Sequence, residues 1–233
     1  MQMLHNTPRN EPFGADGLRR MYRARFAGRQ MYRDSVWGVL IRDYFQRLVR
    51  PEDVVLDMGA GYGEFINHIR CGKKYALDLN PDTADRVSGD VEVIAQECSA
   101  SWPFPDNHLD VVFTSNFLEH LPDKRALSRT LGEANRCLKP DGRLIAMGPN
   151  IRYLPGAYWD FIDHHIPLTE QSLSEALGQQ GFRIEKCIDR FLPFTMVNGP
   201  QYPVFFLAVY LRIPFIWRIF GKQFLVLAKK ESL

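Results

Sequence analysis

The sequence predicts a doubly wound α/β fold, a mostly parallel sheet with helices on both faces. Three observations carry this. The apolar run Val54-Val55-Leu56 passes into Asp57-Met58-Gly59-Ala60-Gly61-Tyr62-Gly63, which reads as a buried strand turning sharply into a helix. Strand-like and helix-like segments then alternate from Asp53 to about Lys186, the pattern of a parallel sheet with crossover helices. The chain has 233 residues, enough for one α/β core with additions and short for two full domains.

Taken in order, residues 1–17 are polar and carry Pro8, Pro12, Gly14 and Gly17, so no fixed structure is expected there. Residues 18–52 form a helical cap: Val36, Trp37, Leu40, Ile41, Tyr44, Phe45 and Leu48 recur at helical spacing and should pack on the sheet. The core spans 53–190. The glycine turn leads into a helix from Glu64 to about Ile69, whose unpaired N–H groups face the turn. Tyr75-Ala76-Leu77-Asp78-Leu79 is a second short strand ending in an acid. Thr169 reads as the N-cap for a helix through Gly178, with Gly181 as its stop. Residues 191–221 are an apolar insertion, 222–230 the last strand, and 18–233 together one domain.

Composition excludes several classes. The formal net charge of +2 gives no global field for nucleic acid. Cys71, Cys98, Cys137 and Cys187 show neither a C-x-x-C pair nor metal-ligand spacing with histidine, which suits reduced thiols and predicts no metal. No apolar signal core stands near the N-terminus, so a cytoplasmic location is expected.

The glycine turn is the chemical signature. A dinucleotide fingerprint would need a third glycine at position 64, which is Glu64. Asp57 and Glu64 would also bring negative charge to a pyrophosphate, whereas they suit a ligand carrying an amino group or a cation. The turn resembles motif I of the class I S-adenosylmethionine (SAM)-dependent methyltransferases, whose cofactor is a sulfonium with an amino-acid tail. Three further stretches are similar to the family in the same order: the strand ending at Asp78, the run from Trp102-Pro103-Phe104-Pro105 through Thr114-Ser115-Asn116-Phe117-Leu118-Glu119-His120, and Leu138-Lys139-Pro140-Asp141-Gly142 leading into Arg143-Leu144-Ile145-Ala146.

The resemblance implies a seven-stranded Rossmann-like sheet with an antiparallel last strand, SAM as cofactor and S-adenosylhomocysteine as product. It implies cofactor contacts at Asp57, Gly59, Ala60, Gly61, Gly63, Asp78, Leu79, Cys98, Ser99, Asn116 and His120, with Asp78 placed for the ribose hydroxyls. Many relatives carry an acid where this chain has Cys98-Ser99, and a thiol is a poor acceptor. The adenine is then read by backbone groups or by Ser99, and Cys98 is read first as an ordinary buried residue.

Acceptor chemistry should lie at the carboxyl ends of the strands. His164 and His165 are the candidate bases, with Asp163 as orienter, and Asn150, Arg152, Tyr153, Tyr158 and Trp159 are candidate acceptor contacts. No Pro-Pro-aromatic motif follows Asn116, which disfavours a nucleic-acid base as acceptor, and no acid cluster there supports a metal-dependent catechol-type reaction. Metal-independent O-methylation of a small molecule, glycan or lipid-linked acceptor leads. The full-length pattern is similar to bacterial "type 11"-like members associated with cell-surface glycan assembly. Methylation of an isoprenoid quinone-type lipid, or a non-catalytic cofactor-binding module, are the alternatives.

Two segments bear on the partner. Val204 to Leu211 and Ile213 to Trp217 are apolar on every face, and Arg212, Pro214 and Arg218 argue against a membrane span. A buried helix, a homodimer contact, or an element in a membrane interface with Tyr210 and Trp217 at the headgroups would each satisfy this pattern. Arg19, Arg20, Arg23, Arg25, Arg29 and Arg33, interleaved with aromatics, suit a solvated helix face, a phosphate-bearing acceptor or an anionic bilayer.

Overall fold

The structure is a computed structural model that describes residues 14–26, 28–194 and 201–231. Strands β1 (Val54–Met58), β2 (Lys73–Leu77), β3 (Val91–Ile94), β4 (Leu109–Ser115), β5 (Leu138–Pro149), β6 (Phe182–Leu192) and β7 (Gln223–Lys230) form one sheet. Their order is β3-β2-β1-β4-β5-β7-β6. The first five pair in parallel, and β7 runs antiparallel between β5 and β6. This is the Rossmann-like arrangement that the sequence implied.

Both faces of the sheet are covered, which is why its strands read as unbroken apolar runs. Leu56, Val112, Leu144 and Val226 point to one side, against Leu127, Leu131 and Ala134 of α4 (Lys124–Cys137) and Leu173 and Leu177 of α5 (Glu170–Gln179). Their neighbours Val55, Val111, Ile145 and Leu225 point to the other side. There they meet α2 (Gln30–Asp43), α3 (Glu64–His68), α6 (Val204–Leu211) and α7 (Pro214–Phe220). Each such Leu or Ile contributes about 1.5–3 kcal/mol by leaving water. Strand order reverses between β1 and β4, so the crevice beyond their carboxyl ends is where this fold places ligands.

The local signals hold at α5: Thr169 and Ser172 form a capping box, and Gly181 ends the turn at φ +77°. Other boundaries move. Residues 1–13 lie outside the described residues, but α1 (Ala15–Phe26) begins inside the stretch expected to lack structure. The helix expected through Leu48 stops at Asp43, and Phe45–Leu48 is a separate 3₁₀ turn that swings Phe45 fully into the core. β6 extends to Leu192, and residues 195–200 of the insertion lie outside the described residues.

The expectation for Tyr210 and Trp217 is corrected. Trp217 is buried, its Nε1–H donates to the Tyr210 carbonyl at 2.9 Å, and the Tyr210 hydroxyl donates to the Phe191 carbonyl at 2.8 Å. These two rings anchor α6 and α7 to the sheet. Three of the N-terminal arginines are engaged within the protein: Arg19 and Arg23 grip Asp82 (Nε to carboxylate 2.7 and 2.9 Å), and Arg33 grips Glu64 at 2.7 Å. These three strap α1 and α2 over the end of the sheet.

Candidate active site

A cavity of about 510 Å³ opens at the β1–β4 crevice. Its floor is Asp57, Gly59, Ala60 and Gly61 after β1 and Ser115 and Asn116 after β4; its roof is the α2 face bearing Val36, Trp37 and Leu40. One end is polar, with Asp57, Glu64, Asn116 and His120. The other is apolar and aromatic, with Leu192, Pro193, Phe194, Val204, Phe206 and Leu207.

The glycine turn is shaped for close approach. Gly59, Gly61 and Gly63 all have positive φ (70°, 57° and 75°). A Cβ built on Gly59 would stand 2.2 Å from the Phe117 ring, so only glycine fits there. The Asp78 carboxylate holds the turn by accepting the Gly61 N–H and the Asn80 N–H, each at 2.7 Å. Thr83 adds a bond from its hydroxyl to the Gly61 carbonyl at 2.7 Å.

Charge makes the polar end selective. Burial, and then the nearby Glu64 and Asp78 charges, push the Asp57 carboxyl well above the usual carboxylate range. Burial also raises Asp78, offset in part by its backbone hydrogen bonds. Asn116 Oδ1 and Gln223 Oε1 are buried acceptors without a hydrogen-bond partner, and both residues line the cavity. Asp57 and the two unsatisfied acceptors, beside a Glu64 already held by Arg33, suit a ligand that brings positive charge and N–H donors. The ammonium and sulfonium of SAM meet that demand, whereas a pyrophosphate would not.

The structure separates the other expected site residues. Asp163, expected to orient His164 or His165, stands against His120. Its Oδ2 lies 3.1 Å from His120 Nδ1, and its carbonyl lies 2.9 Å from the same nitrogen. Burial pulls the His120 imidazole down, but the Asp163 hydrogen bond and the Glu119 and Asp163 charges outweigh it and hold the group above its ordinary value. His164 lines the cavity beside His120, ring centroids 4.7 Å apart, and its Nδ1–H donates to the Tyr158 carbonyl at 2.6 Å. Both rings are thus placed with Nδ1 anchored and the lone pair on Nε2. His120, Asp163 and His164 also each put one ligand atom within 4.8 Å of the others, so the trio has the donors of a divalent-cation site as well.

The other expected site residues lie in several places. His165 is exposed outside the cavity and uses its backbone N–H to bind the Glu119 carbonyl. Asn150, Arg152 and Tyr153 form a network of their own away from the cavity: Asn150 and Arg152 bind Glu170, and Tyr153 binds Asp189. Trp159 is held by the Leu154 carbonyl and does not line the cavity, while Tyr158 does, its hydroxyl on the buried Glu119 carboxylate at 2.5 Å. Cys98 is buried in the core with its thiol raised well up by burial, so its side chain offers no contact to an adenine. Asp78, Leu79 and Ser99 do not line the cavity, and Phe117 packs on Gly59 at its edge. Tyr32, Trp37, Phe194 and Gln223 line it without having been expected as site residues, Trp37 having been read as part of the helical cap's packing stripe.

Residues 30–186 match the family described as a methyltransferase domain. Among curated proteins, a ubiquinone/menaquinone biosynthesis C-methyltransferase from Shewanella sp. (strain ANA-3) is 31% identical over 112 residues. That match covers 42% of this chain and 43% of the relative, so the chain spans less than half the length of that protein. A SAM-dependent methyltransferase from Archaeoglobus fulgidus is similar in structure with a TM-score of 0.62 at 22% identity, covering 88% of this chain and 99% of that one. A chain from the complex between the Haloferax volcanii Trm112 methyltransferase activator and a methyltransferase gives a TM-score of 0.65 at 16% identity, covering 94% and 98%.

Proposed function

This chain belongs to the methyltransferase domain family, and we propose that its SAM-dependent reaction methylates a nucleophile on an acceptor with a polar head and an apolar tail, supplied from a membrane. The observation that carries this reading is the two-ended cavity, acidic and imidazole-bearing at the glycine turn and aromatic towards α6. A lipid-linked hydroxyl acceptor fits it; a free glycan would leave the aromatic end without a match.

Bound SAM supplies an electrophilic methyl on sulfur, and the protein does the rest. The turn at Gly59–Gly61, with Asp57, Asn116 and Gln223, would hold the amino-acid half, and Asp78 would reach the ribose once Phe117 moves aside. Trp37, Phe194 and Phe206 would align the acceptor tail and exclude water, which contributes by fixing orientation. His120, oriented by Asp163, would take the proton from the acceptor hydroxyl at Nε2, an effect of order 10²–10⁴-fold. His164 would stand beside it as a second acceptor of that proton.

A second reading is methyl transfer to a ring carbon of a quinone-type lipid, and the Shewanella relative favours it. The test incubates the protein with methyl-labelled SAM and a lipid extract, with an aqueous extract as control. Label entering the organic phase, lost on His120→Ala, supports the reading. Label confined to water-soluble products refutes it, and loss on chelation would assign His120, Asp163 and His164 to a cation instead.

A further inference from the structure

The cavity mouth and the most apolar patch of the surface are the same place. Tyr202 and Phe206 line the cavity and are also 57% and 60% exposed. Beyond them Phe205, Phe215, Ile219 and Phe220 stand out at 68%, 72%, 53% and 58% exposure. Scattered apolar residues on a surface need no explanation, but among the described residues every exposed large apolar side chain except Met31 and Ile162 falls in the 202–220 segment beside the cavity opening.

That face is rigid. Arg190 donates to the carbonyls of Ile219 (2.8 Å) and Gly221 (3.0 Å), and with the Trp217 and Tyr210 anchors this pins α7 on β6. The segment's own charges are of one sign, and Arg212 also stands near enough to Asp43 of α2 to favour that carboxylate's ionised form. Between Asp189 and Glu231 the sequence has no acid, while Arg212, Arg218 and Lys222 are exposed around the patch.

We propose that the α6–α7 face docks on an anionic lipid bilayer and opens the cavity sideways into it, so that an apolar-tailed acceptor enters without crossing water. α6 and α7 have 8 and 7 residues, and no helix among the described residues is long and apolar enough to cross a membrane. They are suited to lie in the interface, aromatic side chains down and arginines at the headgroups. A second copy of the chain fits this face poorly. A two-fold contact would bring Arg212 and Arg218 of both copies into one interface, and the segment supplies no acid to pair any of them. The docking stands on the surface itself; only the acceptor's route rests on the function proposed above.

The experiment is co-sedimentation of the full chain with phosphatidylglycerol/phosphatidylcholine vesicles at low salt, with pure phosphatidylcholine as control. The protein should pellet with the anionic vesicles and be released by salt. Arg212→Gln/Arg218→Gln should weaken partition about tenfold to thirtyfold, and Phe205→Ser/Phe215→Ser/Phe220→Ser at least about tenfold. None of these residues lines the cavity, so both variants should keep the thermal shift induced by S-adenosylhomocysteine, which shows that they fold. Absence of pelleting, or equal pelleting by the variants, overturns the proposal, as does a dimer in solution that the Phe→Ser variant dissolves. Vesicle binding without label in the lipid phase leaves docking standing and removes the lipid acceptor.

Discussion

Asp163 meets His120 Nδ1 twice, through its carboxylate at 3.1 Å and its own backbone carbonyl at 2.9 Å. Two acceptors from one residue fix the ring plane and tautomer, and the carboxylate favours the imidazolium. Asp163→Asn keeps the carbonyl contact and removes the charge, so the His120 pKa should fall, as read by NMR titration of the ring. The sign for a base follows: methyl transfer rises as pH passes through the His120 pKa, and the substitution should move that limb to lower pH while lowering the plateau. Stability has the opposite slope. The raised folded pKa contributes below the unfolded value of about 6.5 and is lost as pH rises through the folded one. An unchanged His120 titration would sink the dyad.

Asp57 is costly to the protein without its ligand. Its carboxyl is raised first by burial and then by Glu64 and Asp78, so the folded state gains stability as pH falls through the elevated pKa. Asp57→Asn should raise the thermal midpoint of the ligand-free protein at neutral pH and flatten that dependence. It should also shrink the shift on adding SAM. Saturation at about 100 times Kd adds roughly 2.7 kcal/mol, and a tenfold weaker ligand loses about 1.4 kcal/mol of it. At about 2–4 °C per kcal/mol for a domain this size the loss is readable by calorimetry. A variant that binds SAM as well as the wild type would show that the acid does not meet the cation.

The fold was legible where its causes are local. The glycine turn, the Thr169 cap and the alternation of strands and helices are each written within a few residues, and they place β1, α5 and the sheet correctly. Asp57, Gly59 and Asn116 line the cavity because they sit where strands end, a place the sequence marks. What was not legible is what distant side chains choose as partners. Asp163 sits beside His164 in sequence but pairs with His120, 43 residues away, because the loop is tied to Glu119 by two backbone bonds. Asn150 and Arg152 look like acceptor contacts until Glu170 appears across the fold to bind both. The arginine run shows the same limit, since nothing in its spacing announces Asp82 or Glu64.

Gly59 and Phe117 should be coupled. Gly59→Ala forces a Cβ into the Phe117 ring and keeps a residue with φ of +70° in a strained region, a backbone cost of about 1–2 kcal/mol. Phe117→Ala removes the ring but keeps the Cβ at 2.7 Å, so the clash is reduced while the backbone cost stays. A double-mutant cycle read by denaturant melts should therefore show the pair less destabilised than the sum of its singles. Additive losses would mean that Phe117 does not rest on the turn.

Glu119 gives the last test, because its carboxylate is buried beneath the cavity and binds the Tyr158 hydroxyl at 2.5 Å. Burial already raises its pKa, with the His120 charge and the Tyr158 hydrogen bond working against the rise. Tyr158→Phe withdraws that hydrogen bond and leaves a buried acceptor short of a donor, at about 1–3 kcal/mol. The loop itself should stay in place, since the backbone N–H groups of His165 and Ile166 still bind the Glu119 carbonyl at 2.8 and 3.1 Å. The penalty falls on the ionised form, so the variant should lose more stability at pH 7 than at pH 5, where a carboxyl with a raised pKa begins to take up its proton. Glu119→Gln removes the charge outright, and adding Tyr158→Phe to it should then cost less than Tyr158→Phe alone. Equal losses in the two backgrounds, or a Tyr158→Phe loss independent of pH, would mean that the hydroxyl serves packing and leaves the carboxylate unaffected.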